Sequence, residues 1–283
     1  MPSSVRCNHL RVPLLAVKLL LAPCFVVGAS LVARRFGPRV GGLIAGLPVV
    51  AGPILLVYAL AHGRAFAASA AAGTLLGLVS LIAFVVVYAR LSARLFWGVS
   101  LLAGWLAFAV ATAVFSALSL PVGVALGLAA LALALGLALL PRPGAEARAH
   151  PTPPAWDLPV RALCALALVL SLTAVAGWLG PQLSGLLAPF PIIATVLATF
   201  THAQRGTDEL LRLLRGLVSG FGAFALFCFA LAVSLHRLDT AAAFALATAL
   251  ALLVQGFVLV LLRREPAAGS LPEYYVGTPP PTS

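Results

Sequence analysis

A chain of 283 residues with 62% apolar and only 9% charged residues cannot cover a water-soluble domain, in which about a quarter of the residues carry charge. The net charge of +11 could suit a nucleic-acid partner, but the arginines lie between apolar runs of about 20 residues, the length that crosses a bilayer core, where they mark loops; this sets nucleic acid aside. The four cysteines, Cys7, Cys24, Cys164 and Cys228, form no C-x-x-C pattern and three lie inside apolar runs, so they read as packing residues and not as a disulfide framework or zinc site.

Residues 1–12 are a basic head with Arg6 and Arg11, and a first helix is predicted over 13–33. Arg34, Arg35 and Arg39 surround Gly37-Pro38 in the next loop, and a second helix over 41–61 contains Pro48 and Pro53. The turn His62-Gly63-Arg64 leads to a third helix over 65–88, whose Ser69, Gly73 and Gly77 form a small-residue face suited to close helix approach. Arg90 and Arg94 mark the following loop. A fourth helix over 95–118 carries Trp97, placed as an interfacial aromatic, and Trp105. The Ala-Leu-Gly run over 120–140 is a fifth helix.

Residues 141–159 are polar and Pro-rich, with His150-Pro151-Thr152-Pro153-Pro154, and read as a linker. A sixth helix is predicted over 159–179 and a seventh over 183–202, the latter with Pro189 and Pro191. Thr207-Asp208-Glu209 looks like a capped helix start. Leu210, Leu211, Leu213, Leu214 and Leu217, interspersed with Arg212 and Arg215, predict an eighth helix that begins amphipathically at the interface and runs to 235. A ninth helix over 240–262 ends at Arg263-Arg264-Glu265, and the Pro/Gly/Ser-rich tail is expected to be disordered.

Two stretches share the pattern G-P-x-x-x-G-L-x-A-x-x-P: Gly37 to Pro48 and Gly180 to Pro191. The alignment continues without a gap, Ala51 onto Ala194, Gly63 onto Gly206, Gly73 onto Gly216, Gly77 onto Gly220 and Phe84 onto Phe227. Most of these are Gly and Pro, which impose backbone geometry, so their recurrence points to a duplicated architecture. Lys18 falls on Arg161 in the same register, so the first helix belongs to the duplicated unit and is not read as a cleaved leader.

Helices one to four then match six to nine, with the fifth between them, which sets the two halves in opposite orientations. Numbering the loops for nine spans puts Arg34, Arg35, Arg39, Arg90, Arg94, Arg142, Arg148, Arg205, Arg212, Arg215, Arg263 and Arg264 on one side, bordered by Arg161. The other side holds Arg6, Arg11, Arg64 and Arg237, with Lys18 near it. The arginine-rich side is assigned to the cytoplasm, the N-terminus outside and the C-terminus inside. The expected fold is an all-α polytopic membrane bundle of about nine transmembrane helices, two inverted four-helix repeats joined by one extra helix. It forms one integral membrane domain over 1–283: repeat one over 13–118, the linking helix over 119–140, the polar linker over 141–158, repeat two over 159–262 and the tail over 263–283.

With Ser184-Gly185-Leu186-Leu187-Ala188-Pro189-Phe190-Pro191, His202, Arg205-Gly206-Thr207 and the Leu/Arg helix that follows, the second half resembles GlpM-type proteins, small bacterial inner-membrane proteins of about one repeat's length. The first half resembles them more weakly, since Gly46 stands where the second half has Pro189. The resemblance implies an inner-membrane location and a fused two-copy fold, and no particular activity.

Pro48 and Pro191 lie several residues into their helices, approaching mid-membrane. Each lacks an N–H and should free a carbonyl four residues back, at Ile44 or Leu187. Broken helices in opposed repeats are a recurrent transporter plan; harmless proline kinks are the alternative. Ile44, Pro48, Leu187, Pro191, Thr195, Thr199 and His202 are therefore the candidate substrate-path residues. The acids Glu146, Asp157, Asp208, Glu209, Asp239, Glu265 and Glu273 all fall in loops or at helix ends, which argues against a carboxylate relay in the membrane core. There is no H-E-x-x-H, G-x-S-x-G or Walker-type loop, so no catalytic residue, metal or cofactor is expected and the chain does not read as an enzyme. The expected function is a small-molecule permease or exporter of unknown substrate, with the lipid bilayer as its surroundings; the alternative is a non-transporting accessory or scaffold protein of the inner membrane.

Overall fold

A computed structural model describes residues 22–118, 120–144, 154–171 and 190–264. These residues form helices and connecting turns, with no strand among them. In chain order the helices are α1 (22–36), α2 (Pro38–Ala45), α3 (Ala51–His62), α4 (Arg64–Leu91), α5 (Trp97–Ser116), α6 (Val122–Leu139), α7 (157–171), α8 (Ile192–Ser234) and α9 (Thr240–Arg264).

Five of them, α4, α5, α6, α8 and α9, are long and apolar enough to cross a membrane. Burial sorts these five into two kinds. The apolar part of α8 is 67% buried and that of α4 50%, whereas α5, α6 and α9 are each 17% buried. α4 and α8 pack on each other at the centre, with Leu75, Phe84, Val85 and Tyr88 on one and Leu210, Leu214, Val218 and Leu231 on the other fully enclosed. The outer helices turn long apolar stripes away from this core: Leu102, Leu106, Val110 and Val114 on α5, and Leu131, Leu135 and Leu139 on α6. Residues at such i, i+4 spacing lie on one helix face, and apolar faces of this length fit contact with lipid and not water. The fold is that of an integral membrane protein.

Two predicted elements differ from those observed. The second helix is two helices, α2 and α3, separated by the non-helical segment from Gly46 to Val50 around Pro48. Pro48 cannot donate an N–H, so the helical ladder stops there. The seventh and eighth helices are two helical arms, together α8, that meet without an intervening loop at Gly206, whose φ 79° and ψ −175° are not helical. Gly63, between α3 and α4, has φ 89° and ψ 167°. A side chain would clash in that region of dihedral space, so only glycine can turn the chain there without strain.

Among α2 to α6, α8 and α9, the most extensive packing is that of α2 on α8. Gly42 on α2 and Gly46 at its C-terminal cap face Gly216 and Gly220 on α8, each pair four residues apart, and bring backbone against backbone. Gly216 and Gly220 thus form the close-packing face expected of them. Gly73 does not: it is exposed, and a Cβ there would meet nothing within 4 Å.

The leucines at the head of the predicted eighth helix are not interfacial. Leu210, Leu211, Leu213, Leu214 and Leu217 are all buried inside the protein, because α2, α4 and α6 cover that arm of α8. Nor does Thr207 cap a helix; its hydroxyl donates to the Ser92 carbonyl at 3.1 Å.

Candidate functional site

Arginines tie one end of the bundle together. Arg90 Nε donates to the Leu139 carbonyl at 2.7 Å, Arg215 Nη2 to the Leu140 carbonyl at 2.7 Å, and Arg212 Nη2 to the Gly144 carbonyl at 2.8 Å, while Gly144 N–H donates to Asp208 at 2.9 Å. At the opposite end Arg64 donates to the Leu238 carbonyl at 2.9 Å. Arg90, Arg212 and Arg215 thus lie at the end of α4 opposite to Arg64.

At the arginine-rich end α1, α2, α7 and the first arm of α8 meet around a buried charge cluster. Its centre is Asp157, which the sequence placed in the polar linker but which begins α7 with no exposed side-chain surface. Arg161, one turn on, donates through Nε to both carboxylate oxygens at 2.9 Å. Arg34 of α1 donates to Asp157 Oδ2 at 2.6 Å and the Gln204 amide of α8 to Oδ1 at 2.7 Å. The Arg161 guanidinium also stands 5.0 Å over the Phe200 ring. Burial alone would raise the carboxyl pKa of Asp157, but the hydrogen bonds from Arg161, Arg34 and Gln204 outweigh it and hold the group below the usual carboxylate range.

A cavity of about 20 Å³ adjoins this cluster, room for a water-sized group. Ser30 and Arg34 of α1, Arg161 of α7, and Leu197, Thr201 and Arg205 of α8 line it, with Pro38 at the start of α2. The pairs Ser30/Arg34, Asp157/Arg161 and Thr201/Arg205 are each four residues apart, so each presents two side chains on one helix face. Ser30 is 4% exposed and its hydroxyl has no hydrogen-bond partner. Arg205 is half-buried and makes no hydrogen bond or ion pair among the described residues.

A second polar line runs along α8. Thr195, Thr199 and His202 lie on the face that meets α4 and α5. Trp105 Nε1 donates to Thr195 Oγ1 at 3.0 Å, the Tyr88 hydroxyl and His202 Nδ1 are 3.4 Å apart, and Thr199 lies beside that hydroxyl. Those three predicted path residues are therefore neighbours; aromatic side chains meet the polar atoms of Thr195 and His202, while Thr199 Oγ1 is buried without a hydrogen-bond partner.

The prolines have separate surroundings. Pro48 follows Gly46, which lies against Gly220, whereas Phe190-Pro191 leads into α8 beside α5, with Phe190 5.3 Å from Trp105 and 5.7 Å from Phe108 between ring centroids. Leu187 and Lys18 lie outside the described residues. The Ile44 carbonyl is not freed by Pro48: Leu47 N–H donates to it at 3.0 Å, a tighter turn replacing the missing bond. The carbonyl that recruits a side chain is Leu43, which accepts from Gln255 Nε2 of α9 at 2.6 Å; Gln255 is 4% exposed and its Oε1 has no partner.

The sequence did not single out Gln204 or Gln255, put Asp157 among the loop and helix-end acids, and offered Arg34 and Arg161 as loop markers. The available signals were an Asp four residues before an Arg at the head of an apolar run, and a lone amide inside the ninth helix. Among the described residues no group of three or more His, Cys, Asp or Glu is placed to hold a metal.

The helices and their exposed apolar stripes define an integral membrane protein with a buried, arginine-rich polar centre at one end. No protein-family model, curated protein or solved structure matches this chain.

Proposed function

We propose that this protein is a small-molecule permease or exporter of the bacterial inner membrane, built from two halves of opposed orientation. The observation that carries this reading is the polar cavity lined by Ser30, Arg34, Arg161, Thr201 and Arg205. A protein whose only task is to scaffold others has no need of a solvent-sized polar space between α1, α7 and α8, and buried charge in a membrane bundle marks a solute path more often than a packing device. The cavity borders both the first residue of α2, which lies in the first copy of the G-P motif, and the first arm of α8, which follows the second copy.

Support for two related halves comes from the backbone. Gly63 and Gly206 occupy equivalent positions in the repeat and share the same uncommon conformation, φ near 80–90° with extended ψ. The α4–α5 and α8–α9 contacts are likewise the counterparts of each other in that register. The arginine-rich end is assigned to the cytoplasm, and kinship with GlpM-type proteins belongs to the same proposal.

Reconstitution into liposomes tests the function. Saturable uptake of a solute from a panel of small anions, cations and neutral compounds, reduced by Thr201→Val, is the expected result. Uptake no faster than in protein-free liposomes for every solute would replace this reading by a non-transporting accessory protein. One observation favours that second reading: just before the α2 break at Pro48, Gly46 packs backbone against backbone on Gly220 of α8.

A further inference from the structure

We infer that the cavity beside Asp157 is a binding site for a phosphate group. The inference deepens the permease reading by naming a solute class, but it rests on the cavity itself and is measured by binding, not by transport.

The charge around the cavity is unbalanced. Arg34, Arg161 and Arg205 line it, and Asp157 is the carboxylate that answers them among the described residues. Three guanidinium groups against one carboxylate leave a surplus of two positive charges. Arg205 and Arg34 stand close enough to act electrostatically on Arg161, so the three share one field. Bringing like charges together under burial is unfavourable without a compensating anion. Asp157 already engages Arg34 and Arg161 on one side, while Arg205 has no carboxylate partner among the described residues and is the guanidinium left to receive a ligand.

Hydrogen bonding points the same way. A buried hydroxyl without a partner is costly, and Ser30 carries one on the cavity wall. It can donate to an oxygen seated in the cavity, whose volume suits one such atom. The remaining oxygens would meet the guanidinium groups at the mouth, where Arg34 retains 25% of its side-chain exposure and Arg205 is half-buried. A phosphate monoester carries about −1.5 to −2 charges at neutral pH, which matches the surplus, a phosphodiester headgroup carries one, and the tetrahedral oxygens of either suit charge-assisted bonds from several arginines. A cation is repelled, and chloride offers neither the second charge nor the directed acceptors.

Phosphate chemistry has two sources here, a soluble phosphate compound or a phospholipid headgroup, and the experiment separates them. The full chain, purified in neutral detergent, is titrated calorimetrically with sodium phosphate against sodium chloride at equal ionic strength. In parallel it is placed in nanodiscs of phosphatidylcholine with and without phosphatidylglycerol, and lipid retention is read by mass spectrometry. Wild type, Ser30→Ala and Arg205→Gln are compared with Arg237→Gln, an exposed arginine beside Leu238 at the opposite end. Arg205 makes no bond whose loss would unfold the protein, so Arg205→Gln should melt like wild type. Phosphate binding that weakens at least about tenfold in Arg205→Gln and less in Ser30→Ala, with Arg237→Gln unchanged, supports a soluble ligand. The same pattern for phosphatidylglycerol alone supports a headgroup. Absence of both, or equal losses in Arg205→Gln and Arg237→Gln, overturns the site. Binding without uptake in liposomes would remove the permease reading and leave this one intact; uptake without binding would do the reverse.

Discussion

Gly46, the C-terminal cap of α2, lies directly on Gly220 of α8: a Cβ built on Gly46 would stand 2.7 Å from the Gly220 Cα. That distance is shorter than side-chain carbons tolerate against backbone, so neither position accepts a larger residue without parting the helices. Gly220→Ala should destabilise the protein by about 1–3 kcal/mol through overpacking. Gly73→Ala, on α4's small face at the position equivalent to Gly216, meets open space and removes helix-weakening glycine; its melting temperature in detergent should be unchanged or higher. Equal losses for the two variants would show that the contact is not what stabilises the α2–α8 pair.

Asp157→Asn removes the acceptor for two guanidinium groups and leaves Arg161 buried without a counter-charge. A loss of about 3 kcal/mol is expected, read from unfolding curves at neutral pH. The pH dependence follows from the lowered carboxyl pKa. A carboxyl whose pKa is lower folded than unfolded contributes stability above its ordinary value of about 4, and that contribution is lost as pH falls through the lowered value. Wild type should thus keep its advantage over Asp157→Asn from pH 8 down to about pH 5 and lose it progressively below about pH 4. An advantage that vanishes between pH 7 and 6 would contradict the ion-paired carboxylate.

The separation of arginines predicts sidedness. Ala93 is exposed at the arginine-rich end and His236 at the end that holds Arg64 and Arg237. In a cysteine-free background, a membrane-impermeant maleimide applied to intact cells should label His236→Cys and spare Ala93→Cys until the membrane is opened. The reverse pattern would turn the protein over in the membrane, and labelling of both would place the two loops on one side.

Pro48→Ala tests whether the α2–α3 break needs its proline. The turn is already satisfied, with Gly46 N–H on the Gly42 carbonyl at 3.1 Å, Leu47 N–H on Ile44 at 3.0 Å and Gly52 N–H on Pro48 at 2.8 Å. Gln255 holds the Leu43 carbonyl besides. The variant should therefore stay within about 0.5 kcal/mol of wild type. A marked gain in helix content by circular dichroism, with loss of stability, would show that proline alone keeps the helix open.

What the sequence determined by itself is local. The length of each apolar run set where helices form, because a helix closes its own hydrogen bonds within four residues and needs no distant partner in lipid. The glycines that bend the chain at Gly63 and Gly206 were visible as a repeated pattern for the same reason: a dihedral angle belongs to one residue. Trp97 at the head of α5 and the grouping of Arg90, Arg212 and Arg215 were equally readable from position along the chain.

Only the tertiary structure decided which polar residues share a site. Asp157 and Arg34 are 123 residues apart in the chain and 2.6 Å apart in the fold. No periodicity carries that information, because it depends on how α1, α7 and α8 lean together after the Gly37 turn and the Gly206 bend. The prolines drew attention to Ile44, yet a one-residue shift in the turn satisfied that carbonyl and handed the side-chain partner to Leu43. The leucines from 210 to 217 suited lipid and core equally well by composition; the cover of α2, α4 and α6 put them in the core. Apolar residues specify that they must leave water but not which apolar surface they meet, and that choice is settled by packing between segments distant in the chain.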